Sequence, residues 1–150
     1  MSSPAPPERR SAALHAASLP HLQRPDGQPW LALLADDNPI NREVGSALLE
    51  ALGLQVHTAK DGHEAVDMAS AARYDLVLMD VQMPRLDGFA ATRHLRTLPG
   101  LGTLPVIAVT ANSSDQSRLD CMAAGMNDFV TKPIDILSLA NALRRWLPQV

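Results

Sequence analysis

A single cysteine, Cys121, rules out an internal disulfide and fits a reducing compartment, so a cytoplasmic location is expected. It reads as a small helix residue rather than a redox sensor, because neither a basic neighbour nor a second Cys lowers its pKa. No apolar run approaches the roughly 18 residues of a membrane span, so a soluble protein without a membrane partner is expected. The net charge is −3 with the signs mixed along the chain. That leaves no basic stripe, and no helix-turn-helix segment follows, which argues against direct contact with DNA or RNA. His15, His21, His57, His63 and His94 are scattered without ligand spacing, so neither a metal cluster nor a phosphodonor histidine is indicated. Lysine is rare: Lys60 and Lys132 are the only two, against many Arg. A compact point charge at a phosphate is a physical reason for Lys132 to be Lys rather than Arg.

What is present has room for one domain with a sizeable core and no second one, since the chain has 150 residues. Residues 1–29 hold prolines at 4, 6, 7, 20, 25 and 29 among Ser, Ala and Arg, without a sustained period. They read as a flexible tail or linker, dispensable for folding, and the domain is expected over residues 30–150. The short Ala-rich patch at 11–19 lacks the continuous apolar core of a secretory signal.

From Trp30 onward short aliphatic runs alternate with helix-period segments. Strands are expected at 31–35, 55–58, 75–79, 105–109 and 128–131. Asn38 can cap a first helix with Pro39 at its first position, and Val44, Leu48, Leu49 and Leu52 supply its apolar stripe before Gly53. Asp61 and Glu64 start a second helix in the manner of a capping box, with Ala65 and Met68 facing inward. Pro84 and Asp87-Gly88 shape the loop into a third helix. A fourth spans 115–124 with Gly125 as a left-handed cap, and a fifth spans 134–147, where Leu143 and Trp146 are expected in the core or at its edge, an exposed aromatic there being the alternative of a partner anchor. Five such units with right-handed crossovers predict an α/β fold, a doubly wound five-stranded parallel sheet of order 2-1-3-4-5 with helices on both faces.

Four of the apolar runs end in polar residues: Asp36 and Asp37, Asp80, Thr110, and Lys132. In open parallel sheets ligands bind outside the carboxyl ends of the strands, so these groups converge at one edge. Three carboxylates there repel, by roughly 4 kcal/mol for two unit charges about 4 Å apart at an effective dielectric near 20. Either one carboxyl stays protonated or a hard divalent cation sits among them, and oxygen-only ligands suit Mg²⁺ better than zinc. With the Lys132 ammonium and the Thr110 hydroxyl as donors, the set looks like a phosphoryl-handling site, and Asp80, central in the sheet, is the candidate nucleophile. Asp36 alone would read as a loop or cap residue, and Asp87 and Asp135 as turn and helix-first-turn residues.

These residues resemble a family. Leu33-Leu34-Ala35-Asp36-Asp37-Asn38, Leu76-Val77-Leu78-Met79-Asp80-Val81-Gln82-Met83-Pro84, Asp87-Gly88, Val109-Thr110-Ala111 and Lys132-Pro133 look like the receiver domain of two-component response regulators, over residues 30–147. The stretches from Asp36 to Arg42 and from Ala124 to Asp128 are most similar to receivers attached to hybrid histidine kinases. The resemblance implies a flavodoxin-like receiver fold, with Asp80 as phosphoacceptor. It implies that Asp36, Asp37, Asp80 and the backbone carbonyl of Gln82 hold Mg²⁺, and that Thr110, Ala111 and Lys132 bind the phosphoryl group. Thr110 and Phe129 match the switch positions, with Phe where many members have Tyr, so a hydroxyl-mediated contact is lost there. Gln82 and Asn112 match the rim that tunes the lifetime of the phosphorylated state. A histidine kinase or histidine phosphotransfer protein is the implied partner, and a phosphorylation-dependent homodimer is allowed.

Two rival chemistries fit less well. A haloacid-dehalogenase-type hydrolase needs its nucleophile on the first strand and a second Asp two residues on, where Asn38 follows Asp36. A flavin or nucleotide binder needs a Gly- or Ser/Thr-rich first loop, absent from 36–40. A degenerate receiver serving only for interaction would lack a site residue, and none is missing. The expectation is a phosphoacceptor signalling domain of a phosphorelay and not an enzyme acting on a separate substrate.

Overall fold

Leu76–Asp80 is apolar at every position but the last, and all five of its residues are buried. Such a run suits a strand covered on both faces. In the computed structural model, which describes residues 21–83, 86–112 and 114–148, it forms β3, the middle of a parallel sheet of order β2-β1-β3-β4-β5. Its companions are β1 (Leu31–Ala35), β2 (Gln55–Ala59), β4 (Val106–Thr110) and β5 (Asp128–Thr131). The helices are α1 (Pro39–Ala51), α2 (Gly62–Ala71), α3 (Gly88–Thr97), α4 (Asp115–Ala123) and α5 (Ile136–Trp146). The expected doubly wound order is the one observed.

Strand alternation sorts the core into two layers. Leu33, Val77, Met79, Val106 and Ala108 meet Ala65, Val66 and Ala69 of α2, Ala91 and Leu95 of α3, and Cys121 of α4. Ala32, Leu34, Leu76, Leu78, Ile107 and Val109 face the other way, toward Leu49 of α1 and Leu139 and Leu143 of α5. Two helices therefore cover one face and three the other. Cys121 is buried, and burial pushes its thiol up, with Asp120 adding to the effect, which keeps it unreactive.

Each helix starts on a side-chain cap. Asn38 accepts from the amides of Ile40 and Asn41, Asp61 from Glu64, Asp87 from Ala90, Ser114 from Ser117, and Asp135 from Ser138. Asp87 and Asp135 are thus N-caps rather than turn and first-turn residues, and α5 begins at Ile136 instead of 134 because Asp135 ends the extended segment. β3 and β4 end one residue later than expected, since Asp80 pairs with Val109 and Thr110 with Thr131 in the ladder. Both site residues are therefore fixed by strand backbone.

Two further expectations need correction. Val44 does not face the core but is 52% exposed. Gly45 takes the inward position, where a Cβ would stand 2.7 Å from Leu34 Cδ2, so the α1 stripe turns by one residue. The domain also does not start at residue 30. Leu22 is 1% exposed, and its amide donates to Leu52 O at 2.7 Å. A turn from Arg24 to Gln28 follows, with the Arg24 guanidinium 5.6 Å from the centre of the Trp30 ring and 3.8 Å from Asp75. Asp75 Oδ2 in turn accepts from the amide of Leu31. This strap closes the amino-terminal end of the sheet, opposite the polar edge. The calls on residues 1–20 and on Pro84 lie outside the described residues.

Candidate functional site

At the carboxyl edge β1 delivers Asp36 and Asp37, β3 delivers Asp80, β4 delivers Thr110 and β5 delivers Lys132. Carboxylate oxygens of Asp36, Asp37 and Asp80 lie within 4.8 Å of one another. Asp36 and Asp80 are buried at 4% and 2% exposure, while Asp37 is exposed at the rim. Each buried carboxylate is held in place. Asp36 Oδ1 accepts from the amide of Asn38 at 2.9 Å, and Arg42 Nη1 donates to the Asp36 carbonyl at 2.8 Å. Asp80 Oδ1 accepts from the amide of Gln82 at 3.0 Å, and its Oδ2 from Lys132 Nζ at 3.0 Å. Lys132 Nζ is also 3.8 Å from Asp36 Oδ2.

One ammonium, paired with Asp80 and 3.8 Å from Asp36, thus stands at a cluster of three carboxylates. Burial pushes the Asp80 carboxyl above the ordinary range; the Gln82 amide and Lys132 oppose this, and Asp36 adds to it. A hard cation at this cluster would relieve the residual repulsion, and two buried carboxylates plus an exposed one offer Mg²⁺ oxygen ligands while leaving room for water. The donor set fits that ion.

Gly88 is required where the loop after β3 returns. A side chain there would run into the backbone carbonyl of Asp80, so glycine lets α3 start directly behind that residue. Sequence reading saw this residue only as part of a turn.

Thr110 is buried at 3% exposure, but its hydroxyl is turned to its own loop: it donates to Asn112 O at 3.2 Å and accepts from Asn112 N at 3.1 Å. The Asn112 side chain accepts from the amide of Ser114. Ala111 is exposed between them. Gln82, Thr110, Asn112 and Phe89 line a groove of about 220 Å³, which puts Gln82 and Asn112, the two expected rim residues, on one groove. Phe129 is half-buried with the Arg118 guanidinium 5.1 Å from its ring centre. On the other side of Lys132 lies an apolar groove of about 390 Å³ between α1 and Pro133-Ile134, walled by Asn41, Val44 and Gly45. Ile40, at 68% exposure, adds to the apolar surface of α1 beside Val44.

Arg42 and the Val44 groove escaped sequence reading. Arg42 binds a carbonyl, which carries no side-chain signal, and Val44 looked like core because its spacing fits a helical stripe.

Comparison with known proteins places this geometry. A profile of the response regulator receiver domain matches residues 32–144. The chain is 40% identical over 116 residues to the signal transduction histidine-protein kinase BarA of Escherichia coli strain K12, covering 77% of this chain and 13% of that kinase. It therefore spans a small part of that relative's length. The receiver domain of sensor histidine kinase PA1611 from Pseudomonas aeruginosa, solved with a magnesium ion coordinated in its active-site cleft, is 42% identical with a TM-score of 0.74, over 79% of this chain and 97% of that one. The receiver domain of Ssk1 from Saccharomyces cerevisiae, solved with the histidine phosphotransfer protein Ypd1, is 26% identical with a TM-score of 0.73, over 79% of this chain and 88% of that one. By profile, sequence and fold, this chain belongs to the response regulator receiver domain family of two-component signalling.

Proposed function

We propose that the chain accepts a phosphoryl group from a phosphohistidine onto Asp80, with Mg²⁺ held by Asp36, Asp37, Asp80 and the Gln82 carbonyl, and that the modification switches partner binding. The observation that carries this reading is the seating of Asp80, buried at 2% exposure, with Lys132 Nζ on one oxygen and the Gln82 amide on the other. A carboxylate oxygen attacks phosphorus; the P–O bond forms as the P–N bond breaks, and the electron pair leaves on the donor imidazole. Bound Mg²⁺ supplies charge neutralisation for the carboxylates and the phosphoryl oxygens.

Lys132 holds Asp80 before transfer and is free to follow a phosphoryl oxygen after it. Thr110 must exchange its bond to Asn112 O for one to the phosphoryl group, so phosphorylation competes with an existing loop contact. The added charge, on the order of −1.5 to −2, drives that exchange. The partner is a histidine kinase or histidine phosphotransfer protein, and the apolar surface of α1 with the groove at Pro133 is the natural seat for a helix bearing the donor. Its place beside Lys132 supports this seat, and the Ssk1–Ypd1 complex supports the class of partner.

Intact-mass measurement with a small acyl phosphate tests the reading. Wild type with Mg²⁺ gains one phosphoryl group, while Asp80→Asn and wild type in EDTA gain none. Full labelling of either control would overturn it.

A further inference from the structure

We propose that Arg96 is the pivot of α4, fixing its carboxyl end so that any movement accompanying phosphorylation of Asp80 is a swing of its first two turns about Gly125. The inference rests on the phosphoacceptor reading only for the trigger; the pivot itself is built into the resting molecule.

Arg96 stands in the last turn of α3, and its guanidinium donates to four acceptors on two other segments. Nε and Nη2 reach Gly125 O at 3.0 and 2.8 Å, Nη2 reaches Asn127 Oδ1 at 2.8 Å, and Nη1 reaches Leu101 O and Leu104 O at 2.9 and 2.7 Å. Asn127 Oδ1 also accepts from the amide of Val106, and Asn127 N donates to Val106 O, which ties the same knot to the start of β4. Gly125 has φ +96°, and a Cβ there would stand 3.0 Å from Arg96 Cγ. The turn is therefore shaped to let the arginine stem lie against it. Cys121, Ala124 and Met126 are each 2% exposed and seat this end in the core.

The other end of α4 is held differently. From Ser114 to Asp120 no residue is buried. Among the described residues, the polar and ring contacts that these turns make beyond the helix are the Arg118 guanidinium over Phe129 and the Ser114 amide on Asn112 Oδ1. Both lead to switch groups, because Asn112 carries the two hydrogen bonds to the Thr110 hydroxyl. When Thr110 leaves Asn112, the restraint lost is at the amino end of α4, and the Arg96 knot is untouched. A helix fixed at one end and released at the other swings. Arg96 is thus a positioning residue that converts a hydroxyl movement beside Asp80 into displacement of the exposed Leu119 face.

NMR-detected hydrogen exchange of the hydrogen-bonded α4 amides tests this, in wild type, Arg96→Lys and Gly125→Ala. Lysine keeps the charge but cannot reach the separated acceptors, and the alanine methyl displaces the arginine stem. In the unphosphorylated wild type, amides of Arg118 to Asp120 should exchange at least tenfold faster than those of Cys121 to Ala124. Either variant should accelerate the second group about tenfold while β1 amides stay protected, which separates release of the pivot from loss of the fold. Phosphorylating wild type should change the first group alone. Equal exchange along α4 in wild type, or changes spread evenly along it on phosphorylation, would overturn the pivot. Failure of wild type to take a phosphoryl group would instead count against the phosphoacceptor reading, and the unphosphorylated comparison would still decide the pivot.

Discussion

Asp80 sits in the protein at a free-energy disadvantage when no cation is present. Its burial raises the carboxyl above the ordinary range, so between the unfolded and folded pKa values the native state binds more protons than the unfolded one. Stability then falls as pH rises through that window and is level below it. In chelator, Asp80→Asn should unfold at a higher temperature than wild type at neutral pH, and the difference should shrink as pH falls from above that window toward the ordinary carboxylate range. Thermal melts across pH check this; a variant less stable than wild type at neutral pH would show that the bond to Lys132 outweighs desolvation. Asn112 gives a second residue-scale test. Its amide can position water but cannot act as a general base. Asn112→Leu should slow dephosphorylation a few-fold, about 1 kcal/mol, without blocking phosphorylation. Indistinguishable decay of the phospho-form in the two proteins would remove Asn112 from that step. Asp80, Lys132 and the acidic pair Asp36 and Asp37 were legible because each ends a strand-like run in a polar residue. Arg42 and Arg96 were not, because all their acceptors but Asn127 Oδ1 are backbone carbonyls that any residue supplies.

Among the elements, those with a repeating pattern were readable and the single anchor was not. β1, β3 and β4 are continuous aliphatic runs, and Asn38-Pro39, Asp61 and Gly125 mark helix ends by residue type alone. The strap has no period. Its one buried side chain, Leu22, stands among Pro, Gly and polar residues, while its amide bonds Leu52 O just past α1 and its side chain joins the core layer of α1 and α5, far along the chain. A lone apolar residue in such company reads as linker. Leu22→Ala should nevertheless destabilise the domain by about 2–5 kcal/mol, the usual scale for a buried Leu truncated in a core. Denaturant unfolding measures it, and a loss below about 0.5 kcal/mol would show that the strap lies on the domain without supporting it.

For the whole molecule, the sheet order does the arranging. With β1, β3 and β4 adjacent at the centre, residues far apart in sequence meet at one carboxyl edge, and the strap closes the opposite end. That convergence was expected from strand order alone; the orientation of the Thr110 hydroxyl was not, because it depends on which local acceptor wins. The most direct test of the phosphoacceptor reading is chemical mapping of the acceptor. The chain is incubated with a phosphohistidine-bearing phosphotransfer protein and Mg²⁺, then reduced with borohydride, which converts an aspartyl phosphate to homoserine, and mapped by peptide mass spectrometry. Homoserine should stand at position 80 and nowhere else. Homoserine at Asp36 or Asp37, or phosphate gained with no homoserine at all, would contradict Asp80 as the acceptor.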